Sequence, residues 1–394
     1  MAEWCKAMLR PDFLADPRLQ AVLAALPGAR LVGGCVRDAL AHLPVADIDL
    51  ACPLPPDRMI AALGAAGLRA LPTGLAHGTV TALSGDAQYE VTTLRRDLAT
   101  DGRHAVVEFT DDWQADAARR DFTINAMSLS PIGMIHDYFG GQSDLAAGIV
   151  RFVGDPATRL VEDYLRLLRF FRFRARYGRG EPDPAALAAI REAIPGLARL
   201  SPERVWSELK RLLAAPSAAP TITLMERLGV LQAILPEGFS VSSLAALEAR
   251  DAPPAPLLRL AALLTGSPDA LADRLRLSTA ERAELIALRD PLAPTDHDDD
   301  ATLRRLLADT PRDILLGRAW LAGVGESGRH KVLTGFVPVF PVQGRDLAAF
   351  GVLPGPEMGV ILRDLRAWWM QGGCLADRAA CLCELQRRRA NTPP

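Results

Sequence analysis

The chain lacks any run of about eighteen uncharged apolar residues, which excludes a membrane-spanning helix. Its first residues, Met1-Ala2-Glu3-Trp4-Cys5-Lys6, lack the apolar core of a signal peptide, so a cytoplasmic location is the expectation. Cysteine is scarce. Cys5, Cys35, Cys52, Cys374, Cys381 and Cys383 are scattered among mostly apolar neighbours and form no C-x-x-C pair. That spacing excludes a disulfide framework and leaves the tail trio one ligand short of a closed zinc site. Net charge is small, −2 in all, so composition carries no global sign of a polyanionic partner. Lysine is nearly absent, and there is neither an internal repeat nor a low-complexity segment.

What is present begins with length. The 394 residues suffice for two to four packed units at ~100 to 200 residues each. Positive charge is local: Arg151, Arg159, Arg166, Arg169, Arg172, Arg174, Arg176 and Arg179 stand against only Asp155, Glu162 and Asp163 in one short stretch. Short runs rich in β-branched residues predict strands at Arg30 to Val32, Ile48 to Cys52, Gly78 to Leu83, Tyr89 to Leu94, Val106 to Phe109 and Ile149 to Val153. Helical patterns lie between them at Val36 to Ala41 and Pro56 to Ala66. After Asp155 the periodicity is helical, with breaks at Gly178 to Pro184, Ile194 to Pro202, Ala215 to Pro220, Pro236 to Ser240, Asp251 to Pro256 and Pro291 to Asp300. Phe336 to Pro341 reads as a loop. The expected class is α+β, a mixed sheet over residues 1–150 followed by an all-α remainder.

Leu31-Val-Gly33-Gly34-Cys-Val-Arg37-Asp38 carries a strand through two glycines into a helix, where backbone N–H groups can approach phosphate. Such turns are common, and this one matches neither a Walker loop nor a dinucleotide fingerprint. Asp47-Ile-Asp49-Leu50 follows. Alternate strand residues share a face, so Asp47 and Asp49 are expected to project together while Ile48 and Leu50 turn to the core. Paired carboxylates repel unless a cation lies between them, and Mg²⁺ takes one or two carboxylates plus substrate phosphates. A two-metal site for nucleotidyl or phosphoryl transfer is the expectation. Glu90 offers a third carboxylate, although alone it reads as a solvated strand residue.

In order along the chain stand Gly33-Gly-x-x-Arg37-Asp38, Asp47-x-Asp49, Glu90-Val-Thr-Thr-Leu-Arg95-x-Asp97, Asp101-Gly-Arg-His104, Arg119-Arg-Asp-Phe-Thr-x-Asn125-Ala-Met127, and Gly154-Asp-Pro-x-x-Arg159-x-x-Glu162-Asp163-x-x-Arg166. Over residues 30–210 this series resembles the class II tRNA nucleotidyltransferase and bacterial poly(A) polymerase family. The resemblance implies a polymerase-beta-like head at 1–150, a helical neck that reads the base at 151–215, and a helical body and tail that bind tRNA at 216–394. It implies Asp47 and Asp49 as ligands of Mg²⁺ and Glu90 as the third active-site carboxylate. The implied nucleotide-binding residues are Gly33, Gly34, Arg37, Arg119, Arg120, Asp121, Asn125, Arg159, Asp163, Arg166 and Arg169. CTP, ATP and the tRNA 3′ end are the implied substrates, with no membrane and no protein partner. In chemical terms Asp121 can accept from a ribose 2′-OH, while Arg119 and Arg120 offer planar forks for phosphate; alone, the three read as a charged helix start.

Arg159 to Tyr177 has no Gly or Pro and predicts one helix, with Asp163 and Arg166 a turn apart on one face. The plain account of that spacing is an intrahelical ion pair worth ~0.3 to 0.5 kcal/mol. The resemblance makes the pair the reader of the incoming base. Cytosine and adenine both present an amino donor beside a ring-nitrogen acceptor, whereas uracil and guanine present the reverse order. The polar segment Asp97 to His104 resembles the family's flexible loop, which implies a switch from C to A addition. Arg169, Arg172 and Arg176 face either the acceptor stem or the triphosphate. Ser201-Pro-Glu-Arg204-Val-Trp-x-Glu208 resembles the family's last motif and reads as a structural helix start.

Among rival readings, poly(A) polymerases carry a basic Gly-Arg-Arg-Phe-like element where this chain has Thr73-Gly-Leu-Ala-His-Gly-Thr79. A partial enzyme adding only C-C or only A is a second rival. His297-Asp298 raises a hydrolase, but no second histidine lies near, and acidic capping of the next helix explains the stretch. A non-catalytic tRNA-binding protein is disfavoured by the intact Asp47 and Asp49.

Overall fold

The computed structural model describes residues 8–100 and 105–390. The chain divides into two compact units, Met1–Pro236 and Glu237–Pro394.

The first unit is built on a seven-stranded mixed sheet in the order β3-β4-β5-β2-β1-β8-β9. Its strands are β1 (Arg30–Val32), β2 (Asp49–Cys52), β3 (Arg69–Gly74), β4 (Thr79–Ser84), β5 (Ala87–Thr93), β8 (Ser128–Leu129) and β9 (Ile135–His136); β6 (Arg95–Thr100) and β7 (Ala105–Phe109) form a separate two-stranded ladder. The single parallel pairing, β2 with β5, sets Asp49 opposite Glu90. A hairpin cannot make that pairing, so α3 (Pro56–Ala65), β3 and β4 lie between the two strands in the chain. Of the segment expected to be a loop, residues 101–104 lie outside the described residues, and its flanks belong to β6 and β7.

Three strand expectations need correction. Ile149 to Val153 forms one isolated bridge, Phe122 to Phe152, instead of a strand, because Phe152 is drawn into an aromatic cluster and its partner stretch turns into a single 3-10 turn. The edge strand β3 was not expected, since its Pro72 withdraws a ladder donor; at a sheet edge that loss is tolerated. Asp47 lies two residues ahead of β2, so strand alternation does not by itself bring it beside Asp49.

Helices α1 (Pro17–Ala25), α2 (Gly34–Leu40), α4 (Trp113–Ala118) and α5 (Gly141–Ala147) complete the head, and α6 (Pro156–Glu162), α7 (Leu165–Tyr177), α8 (Pro184–Ala193) and α9 (Pro202–Leu213) follow. Phe122, Phe152, Phe170 and Phe171 are among the largest fully buried side chains. Phe122 meets Phe152 at 4.9 Å and Phe173 at 5.2 Å between ring centroids, and Phe152 stacks on Phe170 at 5.9 Å. Each such ring contributes about 1.5–3 kcal/mol of burial. The cluster therefore fixes α7 against the segment that carries Asp121.

The single helix expected from Arg159 to Tyr177 is two. Asp163 is extended (φ −154°, ψ 107°) between α6 and α7. Its Oδ1 accepts from the Leu165 N–H at 3.0 Å, a local side-chain bond that competes with helix continuation. Tyr164 packs where a Cβ on Gly196 would stand only 2.0 Å from its ring, so the break is also held by tertiary contact.

The second unit is helical from Val241–Glu248 to Arg378–Ala390; the expected breaks around Asp251 to Pro256 and Pro291 to Asp300 are present, and further ones were not expected, among them Arg276 to Ser278, which has neither Pro nor Gly and turns at Arg276 with φ +52°. Leu303, Leu306, Leu307, Leu315 and Val332 form one core cluster. Val342, Leu347, Val352, Leu365, Trp369, Cys374, Cys381 and Leu385 form another, with Trp368 partly buried against it. Asp299 caps the helix Asp300–Asp309, as the acidic stretch implies. The described cysteines are free thiols, buried except for Cys383. No helix among the described residues is long and apolar enough to cross a membrane.

Candidate active site

Between β1 and α2 the chain turns at Gly33, whose φ of +70° suits glycine. A Cβ there would lie 3.1 Å from Nη1 of Arg120, so the missing side chain admits that guanidinium over the turn. From α2, buried Arg37 gives its Nη1 to Oδ1 of Asn125 at 2.6 Å, and its guanidinium lies over Phe173 (5.0 Å) and Tyr177 (4.6 Å). Asn125 donates in turn to Oδ1 of Asp121 at 3.0 Å, and Arg169 Nε donates to Asp121 Oδ2 at 2.6 Å. Burial alone would raise the Asp121 carboxyl, but Arg169 and Asn125 outweigh it and hold the group below the usual carboxylate range. This buried relay joins α2, the Asp121 to Asn125 segment and α7.

Arg119 and Arg120 are positioned by one carboxylate. Asp116 on α4, 2% exposed, accepts from Arg119 Nε at 2.8 Å, from Arg120 Nη2 at 3.3 Å and from the Arg95 backbone N–H at 3.3 Å. Asp116 was not among the residues expected from sequence. Its signal is an acid three and four residues ahead of two arginines at a helix end. Asp163 Oδ2 is met by Arg204 at 2.7 Å, while Arg166 pairs with Glu162, so the two side chains take separate ion-pair partners. Arg204, read from sequence as part of a structural helix start, also joins the site. Arg172 ties α7 to α9, its Nε lying 2.5 Å from buried Glu208.

These groups surround one cleft of about 420 Å³ lined by Gly33, Gly34, Arg37, Asp49, Arg119, Arg120, Asp121, Asn125, Asp163, Leu165, Arg166, Arg169, Phe173 and Arg204. Six arginines against three aspartates make it a polyanion cradle of ordinary ligand size. Leu165, Phe173 and Arg204 were not singled out as site residues from sequence. Arg159 is not among the lining residues; its Nε donates to the Val153 carbonyl at 2.9 Å and its Nη2 to the Ala118 carbonyl, fastening α6 to α4. Glu90 lines a second cleft that shares Asp49, Arg119 and Arg120 with the first.

Asp49 is open to solvent at its tip, yet protein walls crowd it. Burial pushes its carboxyl above the usual range, the neighbouring Glu90 and Asp47 carboxylates push it further, and Arg120 opposes them. A carboxylate raised by burial and by two neighbouring carboxylates is what a divalent cation relieves. Among the described residues no three His, Cys, Asp or Glu side chains gather closely enough to cage a metal, and Mg²⁺ bound by one or two carboxylates draws its other oxygens from substrate phosphate and water. The donor set fits that ion.

The raised Asp49 value has a testable sign. The folded chain holds this proton more tightly than the unfolded one, so stability falls as pH rises from the ordinary carboxylate range through the raised value. Asp49→Asn removes that cost. With metal chelated at pH 7 the variant is expected to melt above the wild type, and an equal or lower Tm contradicts the strained carboxylate cluster.

Residues 29–151 match the Poly A polymerase head domain, and residues 181–240 match the probable RNA and SrmB-binding site of polymerase A. A mixed sheet that sets carboxylates of adjacent strands, Asp49 and Glu90, in two adjoining clefts that share Arg119 and Arg120 is that of a nucleotidyltransferase. The chain is 39% identical over 358 residues to the mitochondrial CCA tRNA nucleotidyltransferase 1 of Danio rerio, covering 86% of this chain and 83% of that protein. With the Homo sapiens mitochondrial CCA tRNA nucleotidyltransferase 1 it shares 37% identity, over 91% and 86% of the two chains. The crystal structure of the Bacillus stearothermophilus CCA-adding enzyme in complex with CTP superposes with a TM-score of 0.74 at 25% identity, covering 95% of this chain and all of that one. The chain belongs to the CCA tRNA nucleotidyltransferase family.

Proposed function

We propose that this enzyme adds C, C and A in turn to the 3′ end of tRNA, taking CTP and ATP as substrates without a nucleic-acid template. The observation that carries the reading is the convergence of head and neck on one cleft. Asp49 lines it together with the arginines, Asp121 and Asp163, Glu90 lines the adjoining cleft, and the Asp47 carboxylate lies near enough to Asp49 to raise it. The similar Bacillus stearothermophilus enzyme is described with CTP, and a Thermotoga maritima CCA-adding enzyme with tRNA. The division of labour follows: a catalytic head at 1–150, a base-reading neck at 151–215 and a tRNA-binding body and tail at 216–394. The proposed compartment is the cytoplasm, although the vertebrate relatives are named as mitochondrial.

Asp47 and Asp49 would hold Mg²⁺, which when bound lowers the charge of the triphosphate and the pKa of an attacking hydroxyl. The residues do the rest. Arg119 and Arg120, locked by Asp116, grip phosphate oxygens, and the Gly33–Gly34 turn lets the chain lie close. The 3′ oxygen of the acceptor forms its bond to the α-phosphorus as the bond to pyrophosphate breaks, and its proton passes to a neighbouring carboxylate and on to water. Asp121, already accepting from Arg169, Asn125 and the Phe122 N–H, keeps that wall rigid.

Base choice falls to Asp163 and Arg166. Each Asp163 oxygen has one fixed partner, Leu165 N–H or Arg204, and a second lone pair for the amino group of C or A. Arg166 then meets the ring acceptor. Asp163→Ala deletes the acceptor and the repulsion of a carbonyl at the same place. Each such hydrogen bond is worth about 1–3 kcal/mol, so the CTP to UTP incorporation ratio on trimmed tRNA is expected to fall about tenfold or more. An unchanged ratio would show that the base is read elsewhere.

A further inference from the structure

Two clefts meet at Asp49, Arg119 and Arg120, and the smaller, of about 270 Å³, also holds Glu90. In an in-line displacement the attacking and leaving oxygens lie on opposite sides of the phosphorus. A triphosphate laid along the arginine wall therefore leaves the smaller cleft to the attacking strand. Beside β1 and β2, the β4–β5 ladder lines that cleft, and there Thr79 and Thr92 are register partners with hydroxyls 3.0 Å apart. Thr92 stands two residues beyond Glu90 on β5, hence on the same face and about 7 Å along the strand. Facing threonines are common sheet contacts. This pair differs in being partly exposed to a cleft that also holds Glu90 and, at its rim, Arg95, whose Nη1 donates to the His77 carbonyl at 2.6 Å.

We propose that the Thr79–Thr92 hydroxyl pair holds the sugar–phosphate backbone of the acceptor's 3′-terminal nucleotide and so sets its terminal hydroxyl against Glu90 and Asp49. The inference rests on the nucleotidyl-transfer reading of the Asp49 cleft. The two threonines are positioning residues: their hydroxyls donate to or accept from ribose and phosphate oxygens, and Arg95 adds positive charge beside them. A contact of this kind reads no base. That suits an acceptor end whose last base changes after every addition.

The test compares binding of a labelled tRNA lacking its last three nucleotides with that of the same tRNA shortened by one more, without nucleotide present. Wild type is expected to prefer the longer RNA about fivefold, the worth of one modest hydrogen bond. Thr92→Val and Thr79→Val, which keep β-branching and volume, should lose that preference, and Thr92→Ser should keep it. In turnover the valine variants should show a KM for trimmed tRNA raised about fivefold with the KM for CTP unchanged. A preference absent from wild type or surviving in the valine variants overturns the proposal, as does an equal rise in the KM for CTP. Binding needs no turnover, so failure of this contact is distinguishable from failure of the CCA-adding reading, which would show as wild-type protein that does not extend trimmed tRNA.

Discussion

Asp49→Asn is expected to lower kcat by about three orders of magnitude or more, with the fold retained. The carboxylate sits where the two clefts join, so it faces both the incoming phosphate and the attacking hydroxyl. Loss of a ligand to the charge-stabilising ion removes several kcal/mol of transition-state stabilisation, and every 1.36 kcal/mol is a factor of about ten. Asp49 is exposed and its backbone, not its side chain, takes part in the β2–β5 pairing, so circular dichroism and melting should show an intact protein. Single-turnover addition of CTP measures the loss. Turnover near the wild-type rate in Mg²⁺ would remove Asp49 from the reaction.

Arg169→Leu should do the opposite, damaging the fold before the chemistry. Asp121 is buried at 8% exposure, and its Oδ2 is compensated by Arg169 at 2.5 Å. Removing one partner of a buried pair leaves an uncompensated charge at a cost of about 3–5 kcal/mol, the two remaining neutral donors to Asp121 favouring the low end. For a unit of this size about 3 kcal/mol lowers Tm by about 6–12 °C. The depressed Asp121 carboxyl contributes stability that is full above the unfolded value and is lost as pH falls through the folded one. The gap between wild type and Arg169→Leu should therefore narrow on acidification. The double variant Asp121→Asn with Arg169→Leu should recover much of the loss. A shift below 2 °C in the single variant would mean that Asp121 is already satisfied without its arginine.

The parts of the site legible in the sequence are those that local chemistry dictates. Two glycines before a helix, a pair of aspartates two apart and a third carboxylate in a strand are patterns that need no tertiary context, and Gly33, Gly34, Asp49 and Glu90 fall at the two clefts accordingly. Asp163 was found but its setting was not. Periodicity cannot mark a helix broken by an aspartate's own side chain and by a tyrosine seated against Gly196, some thirty residues on. Arg204 and Asp116 were missed as site residues for a related reason. Each acts by holding another charged group, and that partnership exists only once α9 meets the start of α7, or α4 turns its buried face inward. Conversely, density of arginine overstated the free charge. Arg159 and Arg172 are spent on fastening helices, which charge counting along a chain cannot distinguish from a phosphate grip. In the sheet, β3, β8 and β9 escaped because an edge strand with proline and strands of two residues carry too little alternation.

The most direct measurement is the product formed on tRNA lacking its last three nucleotides, with purified protein, Mg²⁺, CTP and ATP, read by length and sequence. Addition of C, C and A followed by arrest is expected, with arrest after two residues when CTP is supplied alone. A run of adenosines on the same RNA, or a single A added only to RNA already ending in C-C, would contradict it.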